Sequence, residues 1–391
     1  MIPLLPWRET AIVFAGATLL TATAITAYDV RLWRSRWFAP GVGATWTLIG
    51  VGLVLWRVGS PVVAACGVSL CWFWLPLFAL GGCGMLLAAP FHRLLRVVAR
   101  GRARVEKSAR AGGRRRFLRQ AAAVLPASAV AAGAAAMTGN DTTRVVNIPL
   151  VFRDLPGALD GLRILQLSDL HLGAGRTSAD LAALLESLRA EPPDLIVLTG
   201  DVADKLEQLE AALALVTAFA PRLGVYAALG NHEYLNDIRE MLPAYQASPV
   251  RLLINESASL QVGDATLFLA GVDDPVFIGP ARPFFERVVA ECAVGAPAHA
   301  FRLLLCHRPE GFEPAAKHGF HLTLSGHTHG GQVGLLGRSV FEVFLGIPYL
   351  WGLYRRGESR LYTTSGFGHW FPFRLNCPAE APVITLKRAR A

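Results

Sequence analysis

Charged residues are absent from four long stretches in the first third of the chain. The stretches cover residues 10–28, 37–56, 58–91 and 120–140, and each is rich in apolar residues. A helix needs ~20 apolar residues to cross the hydrocarbon core of a bilayer, and each stretch is about that long or longer. We therefore predict a transmembrane region of four helices within residues 1–140.

Basic residues between the stretches predict how this region is oriented. Arg31, Arg34 and Arg36 follow the first stretch, and the loop at residues 91–119 holds eleven Arg or Lys and one Glu. Cytoplasmic loops are enriched in Arg and Lys, so both loops are expected in the cytoplasm. The protein is then a multi-pass protein of the inner (plasma) membrane, and its remaining residues lie on the periplasmic or extracytoplasmic side. If residues 120–140 form a buried or interfacial helix instead, the remaining residues lie at the cytoplasmic face.

The basic loop also contains a candidate export signal. Arg114-Arg115-Arg116-Phe117-Leu118 precedes an Ala-rich apolar run and resembles a twin-arginine signal. This resemblance makes the twin-arginine export machinery a candidate partner, although a plain basic cytoplasmic loop explains the same residues. The small residues at 134–136 are a candidate cleavage site, and the sequence leaves open whether the anchor is removed.

From Arg144 onward, short apolar runs alternate with longer helical patterns. A short run of apolar residues is typical of a buried strand, and apolar residues three or four positions apart are typical of a helix. Strands are predicted at residues 145–152, 161–167, 194–198, 224–229, 257–262, 265–270, 301–305 and 320–324, and helices at residues 178–189 and 206–219. This alternation indicates an α/β domain over residues 144–391.

Five of these strands end directly before polar residues. The polar residues are Asp169, His171, Asp201, Asn231, His232, His307, His327 and His329. Because α/β sheets place their sites at the carboxyl ends of strands, we expect these eight side chains to meet. In extended backbone, residues two apart point the same way, so each Asp-x-His or His-x-His pair would reach one cluster. Mixed imidazole and carboxylate ligands suit Mn, Fe or Zn better than Ca.

Composition and charge exclude other classes of protein. The chain is 53% hydrophobic, which is too apolar for an ordinary soluble enzyme and agrees with the predicted membrane region. Its formal net charge of +9 arises in residues 91–119, whereas residues 144–391 sum to about −3. The domain therefore lacks the basic surface of a nucleic-acid-binding protein. The six cysteines show neither CxxC nor zinc-finger spacing.

The polar motifs of the domain, taken together, resemble those of a known family. The motifs Asp169-x-His171, Gly200-Asp201, Gly230-Asn231-His232-Glu233, His307 and Gly326-His327-Thr328-His329 resemble those of the calcineurin-like metallophosphoesterase superfamily, in order and spacing, over residues ~144–390. The resemblance implies a four-layer α/β/β/α sandwich, here preceded by the four-helix transmembrane region. It also implies a metal-dependent phosphoric ester hydrolase with two divalent metal ions.

The resemblance further implies a role for each residue of the set. One ion would be bound by Asp169, His171, Asp201 and His329, and the other by Asp201, Asn231, His307 and His327. A hydroxide bridging the ions would attack a phosphodiester or pyrophosphate bond. Asp201, Asn231 and His232 would be the catalytic residues, with His232 meeting the leaving oxygen or a phosphate oxygen.

Two further segments suggest a branch of the superfamily and a substrate. Residues 326–332 (GHTHGGQ) and the tail at residues 366–374 resemble a membrane-attached or exported bacterial branch similar to the enzymes that cleave a lipid A precursor. A phosphorylated lipid or lipid-linked molecule is therefore the expected substrate. A phosphatase or phosphodiesterase for soluble nucleotides or sugar phosphates at the outer face is the alternative, and a non-catalytic metal-binding scaffold is a third.

The last part of the chain also supplies candidate substrate-binding residues. Arg374, His369 and Gln332 are the candidates, because an Arg fork can clamp a phosphate. Arg374 pairing with a carboxylate is an equally good interpretation. Aromatic residues are frequent in this part, at positions 351, 354, 370, 371 and 373. They are expected either to pack in the core or to form an apolar rim that enters lipid.

Overall fold

The apolar runs of the second part of the chain form two six-stranded sheets in a computed structural model, which describes residues 143–276, 281–369 and 374–389. The transmembrane helices, basic loop and export signal predicted within residues 1–140 lie outside the described residues. Within the described ranges, no helix has both the length and the apolar character needed to cross a membrane.

The first sheet contains both ends of the described chain. Its strands have the order β1–β14–β2–β3–β4–β5, with β1 at Arg144–Phe152, β2 at Arg163–Leu167, β3 at Leu195–Thr199, β4 at Val225–Ala228, β5 at Arg251–Leu252 and β14 at Glu380–Arg388. Strands β2 to β5 are parallel, and β14 is antiparallel to β2 and parallel to β1. The amino end of β1 therefore lies at the same edge of the sheet as the carboxyl ends of β2, β3 and β4.

The second sheet has the order β12–β13–β9–β8–β7–β6. These strands are β6 at Glu256–Val262, β7 at Ala265–Gly271, β8 at Phe301–Leu305, β9 at Leu322–Ser325, β12 at Gly352–Arg356 and β13 at Ser359–Thr363. The four central strands are parallel, and the two edge strands are antiparallel to their neighbours. A two-residue turn joins β6 to β7, and Gly263 supplies the positive φ of 59° that this hairpin needs.

Helices cover the outer face of each sheet. The helices are α1 at Ser178–Ser187, α2 at Leu206–Phe219, α3 at Asn231–Leu235, α4 at Ile238–Ala247, α5 at Ala281–Ala293, α6 at Phe312–Lys317 and α7 at Val340–Leu345. Apolar side chains of α1, α2 and α4 pack on the first sheet, and those of α5 and α6 pack on the second. The inner faces of the two sheets share a third apolar cluster. This order of layers agrees with the expected α/β/β/α sandwich.

The burial of β3 shows why the central strands are almost entirely apolar. Leu195 and Val197 face the second sheet, whereas Ile196 and Leu198 face the helices. A strand covered on both faces has no solvent-facing side, so its sequence shows no polar alternation. The eight predicted strands are confirmed as β1 to β4 and β6 to β9, with bounds that agree to within about two residues. Strands β5, β12, β13 and β14 were not predicted.

Glu380, at the start of β14, joins the two sheets near one end of the sandwich. Its buried carboxylate accepts hydrogen bonds from Tyr362 Oη at 3.0 Å, from Thr364 Oγ1 at 3.1 Å, from the Ser365 amide at 3.0 Å and from Trp351 Nε1 at 3.3 Å. Burial raises the pKa of this carboxyl group, and the four donors act in the opposite direction. The donors offset the cost of removing a carboxylate from water.

We expect Glu380→Ala to destabilise the domain by about 3 kcal/mol, because it leaves several buried donors without an acceptor. The control is Glu358→Ala. Glu358 is exposed and forms a surface ion pair with Arg355, so its loss should change stability by less than ~0.5 kcal/mol. Unfolding of the full-length protein in detergent, followed by circular dichroism, measures both. Equal effects of the two substitutions would contradict the role of Glu380.

Candidate metal centre

The carboxyl ends of five strands from both sheets meet at one edge of the sandwich. Strands β2, β3 and β4 of the first sheet and β8 and β9 of the second deliver the polar residues that the sequence predicted to meet. Three groups of side chains there have donor atoms within 4.8 Å of one another: Asp169, His171 and His329; Asp201, His307 and His327; and His171, Asp204 and His232. The predicted convergence is therefore present, and it involves two sheets.

The first group lies at the ends of β2 and β9. His329 Nε2 lies 3.2 Å from His171 Nε2 and 3.4 Å from Asp169 Oδ1. The Asp169 carboxylate also accepts hydrogen bonds from Ser168 Oγ and from the His327 amide. These contacts fix the carboxylate while leaving it beside the two imidazoles.

The second group is centred on Asp201 at the end of β3. His307 Nε2 lies 3.2 Å from Asp201 Oδ2 and 3.2 Å from Asn231 Oδ1. Asp201 Oδ2 is also 3.7 Å from His171 Nε2 in the first group. The two groups are thus adjacent, and Asp201 lies between them.

This arrangement fits bound divalent cations. Donor atoms that bind one ion at ~2.0–2.2 Å are themselves roughly 3–3.5 Å apart, and the donor pairs here are 3.2–3.7 Å apart. The donor set contains imidazole, carboxylate and amide groups, which bind Mn, Fe or Zn. His307 Nδ1 donates to the Thr199 carbonyl at 2.8 Å, so Nε2 carries the lone pair that a metal requires.

Most of the ligand residues have unusual backbone geometry. Asp169, His171, Asp201, His327 and His329 have φ values of 52°, 46°, 54°, 68° and 49°. These values lie in the left-handed region, which costs non-glycine residues free energy and is concentrated at functional sites. We expected extended backbone to bring each Asp-x-His and His-x-His pair together, and this was wrong. Left-handed turns after the strands bring these side chains together instead.

Two glycines leave the space that the ligand carboxylates occupy. A Cβ atom at Gly230 would collide with Asp201 Oδ1, and a Cβ atom at Gly326 would collide with Asp169 Oδ2 and Ser168 Oγ. Neither glycine has positive φ. The motif glycines at these positions are therefore explained by close approach rather than by turn geometry.

Asp204 orients two histidines of the site and was not predicted from sequence. Its carboxylate is 3.3 Å from His171 Nδ1 and 2.9 Å from His232 Nδ1, and it accepts a hydrogen bond from Asn236 Nδ2 at 3.0 Å. A carboxylate on Nδ1 fixes the tautomer of a metal-binding histidine and makes Nε2 more basic. Asp204 could have been predicted from its position three residues after Asp201, in the same loop.

A second carboxylate supports the other side of the centre. Asp274 is buried and forms a two-pronged ion pair with Arg308, at 2.7 and 3.1 Å. Arg308 Nη1 in turn donates to His327 Nε2 at 3.0 Å, so Nδ1 is the nitrogen of His327 that remains for a metal. Asp274 therefore fixes Arg308 beside a ligand.

Glu233 holds the loops after β3 and β4 together. Its buried carboxylate accepts hydrogen bonds from the amides of Asp201, Val202 and Gly230 at 2.8–3.0 Å. Burial and the nearby Asp201 charge raise its pKa, and the backbone donors lower it. Glu233 therefore fixes the main chain of a ligand.

The three candidate substrate-binding residues all lie beside the first group. Arg374 is buried, and its guanidinium donates to the carbonyls of Ser365, Gly368 and Cys377 at 2.6–3.1 Å. Those donors hold the loop at residues 365–368 and the main chain at Cys377, so these contacts of Arg374 are to main-chain carbonyls rather than to a carboxylate. His369 lies 3.4 Å from Arg374 Nε, and burial and that charge lower its pKa to about 4. Gln332 is buried at the end of the turn that begins at His329.

The histidines of the centre have different affinities for protons when no metal is bound. Burial lowers the pKa of His171, but the hydrogen bond and charge of Asp204 outweigh it and raise the pKa to about 9. Burial likewise opposes protonation of His307, and the Asp201 charge raises its pKa to about 10. Burial and neighbouring cations hold the pKa values of His327 and His329 well below the usual range.

Metal binding should therefore release protons. At pH 7, His171 and His307 are protonated without metal and must lose their protons to bind one, so we expect about two protons to be released and the metal affinity to rise with pH. Titration calorimetry with Mn²⁺ in buffers of different ionisation enthalpy measures the number. His299→Gln, at an exposed position, should leave it unchanged, and a heat independent of buffer would show that the two histidines are neutral.

Asp204→Asn should weaken metal binding and turnover by about 10- to 100-fold each, because it removes the charge that orients His171 and His232. The substitution keeps the size of the side chain. Asp264→Asn, in the exposed turn between β6 and β7, is the matched control and should have no effect. Unchanged Mn²⁺ affinity in Asp204→Asn would exclude the orienting role.

Comparisons with known proteins agree with this geometry. The model of the calcineurin-like phosphoesterase family matches residues 162–331, which contain both donor groups, His232 and Asp204. An uncharacterized metallophosphoesterase of Campylobacter jejuni is 31% identical over 252 residues, which cover 63% of this chain and 65% of that protein. This chain thus spans slightly less than two thirds of that relative.

Two further relatives extend the comparison. The metallophosphoesterase YkuE of Bacillus subtilis is 29% identical over 243 residues, covering 60% of this chain and 82% of that protein. A protein of Danio rerio named transmembrane protein with metallophosphoesterase domain is 30% identical over 307 residues, covering 76% of this chain and 68% of that protein. The chain therefore belongs to the calcineurin-like phosphoesterase family.

Proposed function

We propose that this protein is a membrane-anchored phosphoesterase that uses two divalent ions to hydrolyse a phosphodiester or pyrophosphate bond in a lipid or lipid-linked substrate. The observation that carries the proposal is the position of Asp201 between two donor groups. Asp201 Oδ2 is 3.2 Å from His307 Nε2 and 3.7 Å from His171 Nε2. One carboxylate shared by two ligand sets can hold two cations close together despite their repulsion.

The chain provides a separate ligand set on each side of Asp201. Asp169, His171 and His329 would hold one ion, and Asn231, His307 and His327 the other. Two such ions, when bound, act as Lewis acids on a phosphoryl group and lower the pKa of water. Manganese, iron and zinc all suit these ligands. Asn231 is a neutral ligand, so it adds no negative charge on the side of an anionic substrate.

His232 is the residue best placed to assist the leaving group. Its Nδ1 bonds to Asp204 at 2.9 Å, and its ring meets the ring of His171 edge to face, with centroids 4.5 Å apart. Its side chain remains 17% exposed, whereas that of His171 is 3% exposed. Because Nδ1 is occupied, Nε2 is the nitrogen that can donate to an oxygen on which charge develops.

The membrane anchor is supported by the sequence and by one relative. The four uncharged stretches within residues 1–140 have the length of membrane spans. The alignment with the Danio rerio transmembrane protein covers 76% of this chain, more than residues 144–391 alone could supply. It therefore extends into the first part of the chain. The basic loops favour an extracytoplasmic domain, and an anchored enzyme meets lipid substrates on the surface that confines it.

Full-length protein in detergent should hydrolyse bis-p-nitrophenyl phosphate only with Mn²⁺ or a similar ion. Asp201→Asn should abolish this turnover because it removes the shared carboxylate, and His232→Ala should lower kcat by about 10²–10⁴-fold because it removes the proton donor. His299→Ala, at an exposed position, should match the parent protein. A folded protein that binds no metal and turns over no phosphoester would contradict the proposal.

The substrate class requires a second comparison with the same preparation. A phosphodiester- or pyrophosphate-containing lipid in mixed micelles is compared with a soluble nucleotide and a sugar phosphate. Faster turnover of the lipid, judged by kcat/KM, supports the proposal. Faster turnover of the nucleotide or sugar phosphate would replace the lipid by a soluble substrate and leave the phosphoesterase mechanism intact.

A further inference from the structure

The exposed apolar side chains of the domain are concentrated in one short segment. Nine large hydrophobic side chains are exposed among the described residues, and seven of them lie within residues 335–353: Leu335, Leu336, Val343, Phe344, Leu345, Ile347 and Leu353. Single exposed apolar residues are ordinary on a protein surface, whereas a contiguous group marks an interaction site. We call this segment the apolar surface.

The apolar surface contains a hairpin and a short helix, and Ile347 and Leu353 follow them in the chain. Strands β10 (Gly334–Leu335) and β11 (Arg338–Ser339) form the hairpin, and α7 follows at once. Leu336, at the tip of the hairpin, is 96% exposed and has a φ of 52°. A bulky apolar residue in the left-handed conformation at a fully exposed tip contributes little to folding. Its presence there indicates a contact outside the domain.

Helix α7 has the composition of a core helix but buries none of its residues. Its sequence is VFEVFL, and Phe344 and Leu345 are 69% and 67% exposed. The helix is nevertheless fixed to the domain, because Phe341 packs closely on Gly331 and Glu342 pairs with Arg338 at 2.8 Å. The apolar side chains are therefore presented to the outside by an anchored element.

The apolar surface is attached directly to the metal centre. The turn at His329–Gln332 leads into β10, and the Gly334 amide donates to the Leu375 carbonyl at 2.7 Å. Trp351, at the other end of the segment, packs on Gly330 and donates to Glu380. A ligand residue of the first donor group and the exposed hairpin are thus only a few residues apart.

The chain also enters the domain at this edge. Thr143 Oγ1 donates to the Phe367 carbonyl, and the Arg144 amide donates to the Ala379 carbonyl. The neighbouring Gly366 lies against Asp169 and His329. The uncharged stretch at residues 120–140 ends three residues before Thr143, and three residues span at most ~10 Å. A bilayer that held this stretch would lie close to the metal-centre edge.

We propose that the apolar surface inserts into the lipid bilayer and places the metal centre at the level of the lipid headgroups. This inference rests on the proposed membrane anchor and deepens the proposed function, because the substrate would be a lipid whose phosphoester or pyrophosphate lies at the headgroup. Segments that lie in the membrane–water interface are typically helices with an apolar face and charged residues beside it, and α7 has this character. Of the aromatic residues considered for a lipid-facing rim, Trp351 is buried and Tyr354 is half-buried, while residues 370–373 lie outside the described residues.

We expect this docking to depend on apolar contact with lipid rather than on charge. The cations next to the apolar surface are paired: Arg338 with Glu342, Arg355 with Glu358 and Arg356 with Glu313. Paired charges attract anionic headgroups weakly, so the contact should persist in high salt. A bilayer is favoured over a protein partner because the chain itself brings a membrane-length apolar stretch to within three residues of this edge.

Photocrosslinking of the full-length protein tests the inference. Leu336, Phe344 or Val294 is replaced singly by p-benzoylphenylalanine, and the protein is reconstituted into vesicles of phosphatidylethanolamine and phosphatidylglycerol. Val294 is the matched control, since it is apolar and 78% exposed but lies after α5. We expect roughly tenfold more lipid adduct at positions 336 and 344 than at 294, because an inserted side chain is surrounded by lipid. The difference should remain at 1 M salt.

Hydrolysis of soluble bis-p-nitrophenyl phosphate is measured on the same samples. Lipid adducts at 336 and 344 support the docking even if no hydrolysis occurs, in which case the proposed function alone has failed. An active protein with no more adduct at 336 and 344 than at 294 overturns the docking and leaves the proposed function standing. Adducts to a second copy of the chain in place of lipid also overturn it.

Discussion

The position of the Asp201 carboxylate is the constraint on which the rest of the site depends. Its Oδ1 accepts a hydrogen bond from the His232 amide at 2.8 Å, and its Oδ2 lies between His307 and His171. The main-chain amide of the same residue is held by Glu233. Each of its polar atoms thus has a defined partner. A displacement of this side chain would disturb both donor groups at once.

The surroundings of Asp201 show how the fold maintains that position. Three mostly apolar strands of the first sheet and two of the second end at the same level, because the sheets pack face to face through one apolar cluster. The left-handed backbone at the ligands is locally unfavourable. It persists because buried strands precede it and because carboxylates outside the ligand set, those of Asp204, Asp274 and Glu233, bond to the ligands or to their loops.

The parts of the fold that sequence predicts are those set by local pattern. Strands β2, β3, β4, β8 and β9 are short, mostly apolar runs, and the ligands follow them directly, so both could be identified without a structure. The supporting carboxylates are different. Asp274 acts on His327 only through Arg308. Asp204 contacts His171 and His232 because a turn brings its carboxylate next to both rings. Such contacts join residues that are distant in sequence or lie in irregular loops, where no periodicity marks them.

Residues near the end of the domain also show that local sequence does not determine what a side chain contacts. Arg374 was interpreted as a phosphate clamp or an ion-pair partner, because an Arg near a Gly-rich motif has that chemistry. Its donors instead close a loop by bonding to main-chain carbonyls. Similarly, an apolar run such as VFEVFL predicts burial, yet α7 is exposed. Whether a side chain is buried depends on the neighbours that the topology supplies, which the local sequence does not contain.

The place of β14 has a consequence for the order of events during synthesis. This strand, at Glu380–Arg388, lies between β1 and β2, and it forms the whole hydrogen-bonded connection between them. The ribosome makes the uncharged stretches first and β14 more than two hundred residues after β2. Until then β1 has no partner in the first sheet, and β2 has one open edge. The domain therefore completes its fold only after translation of its last strand, when the first part of the chain has long been available to the membrane.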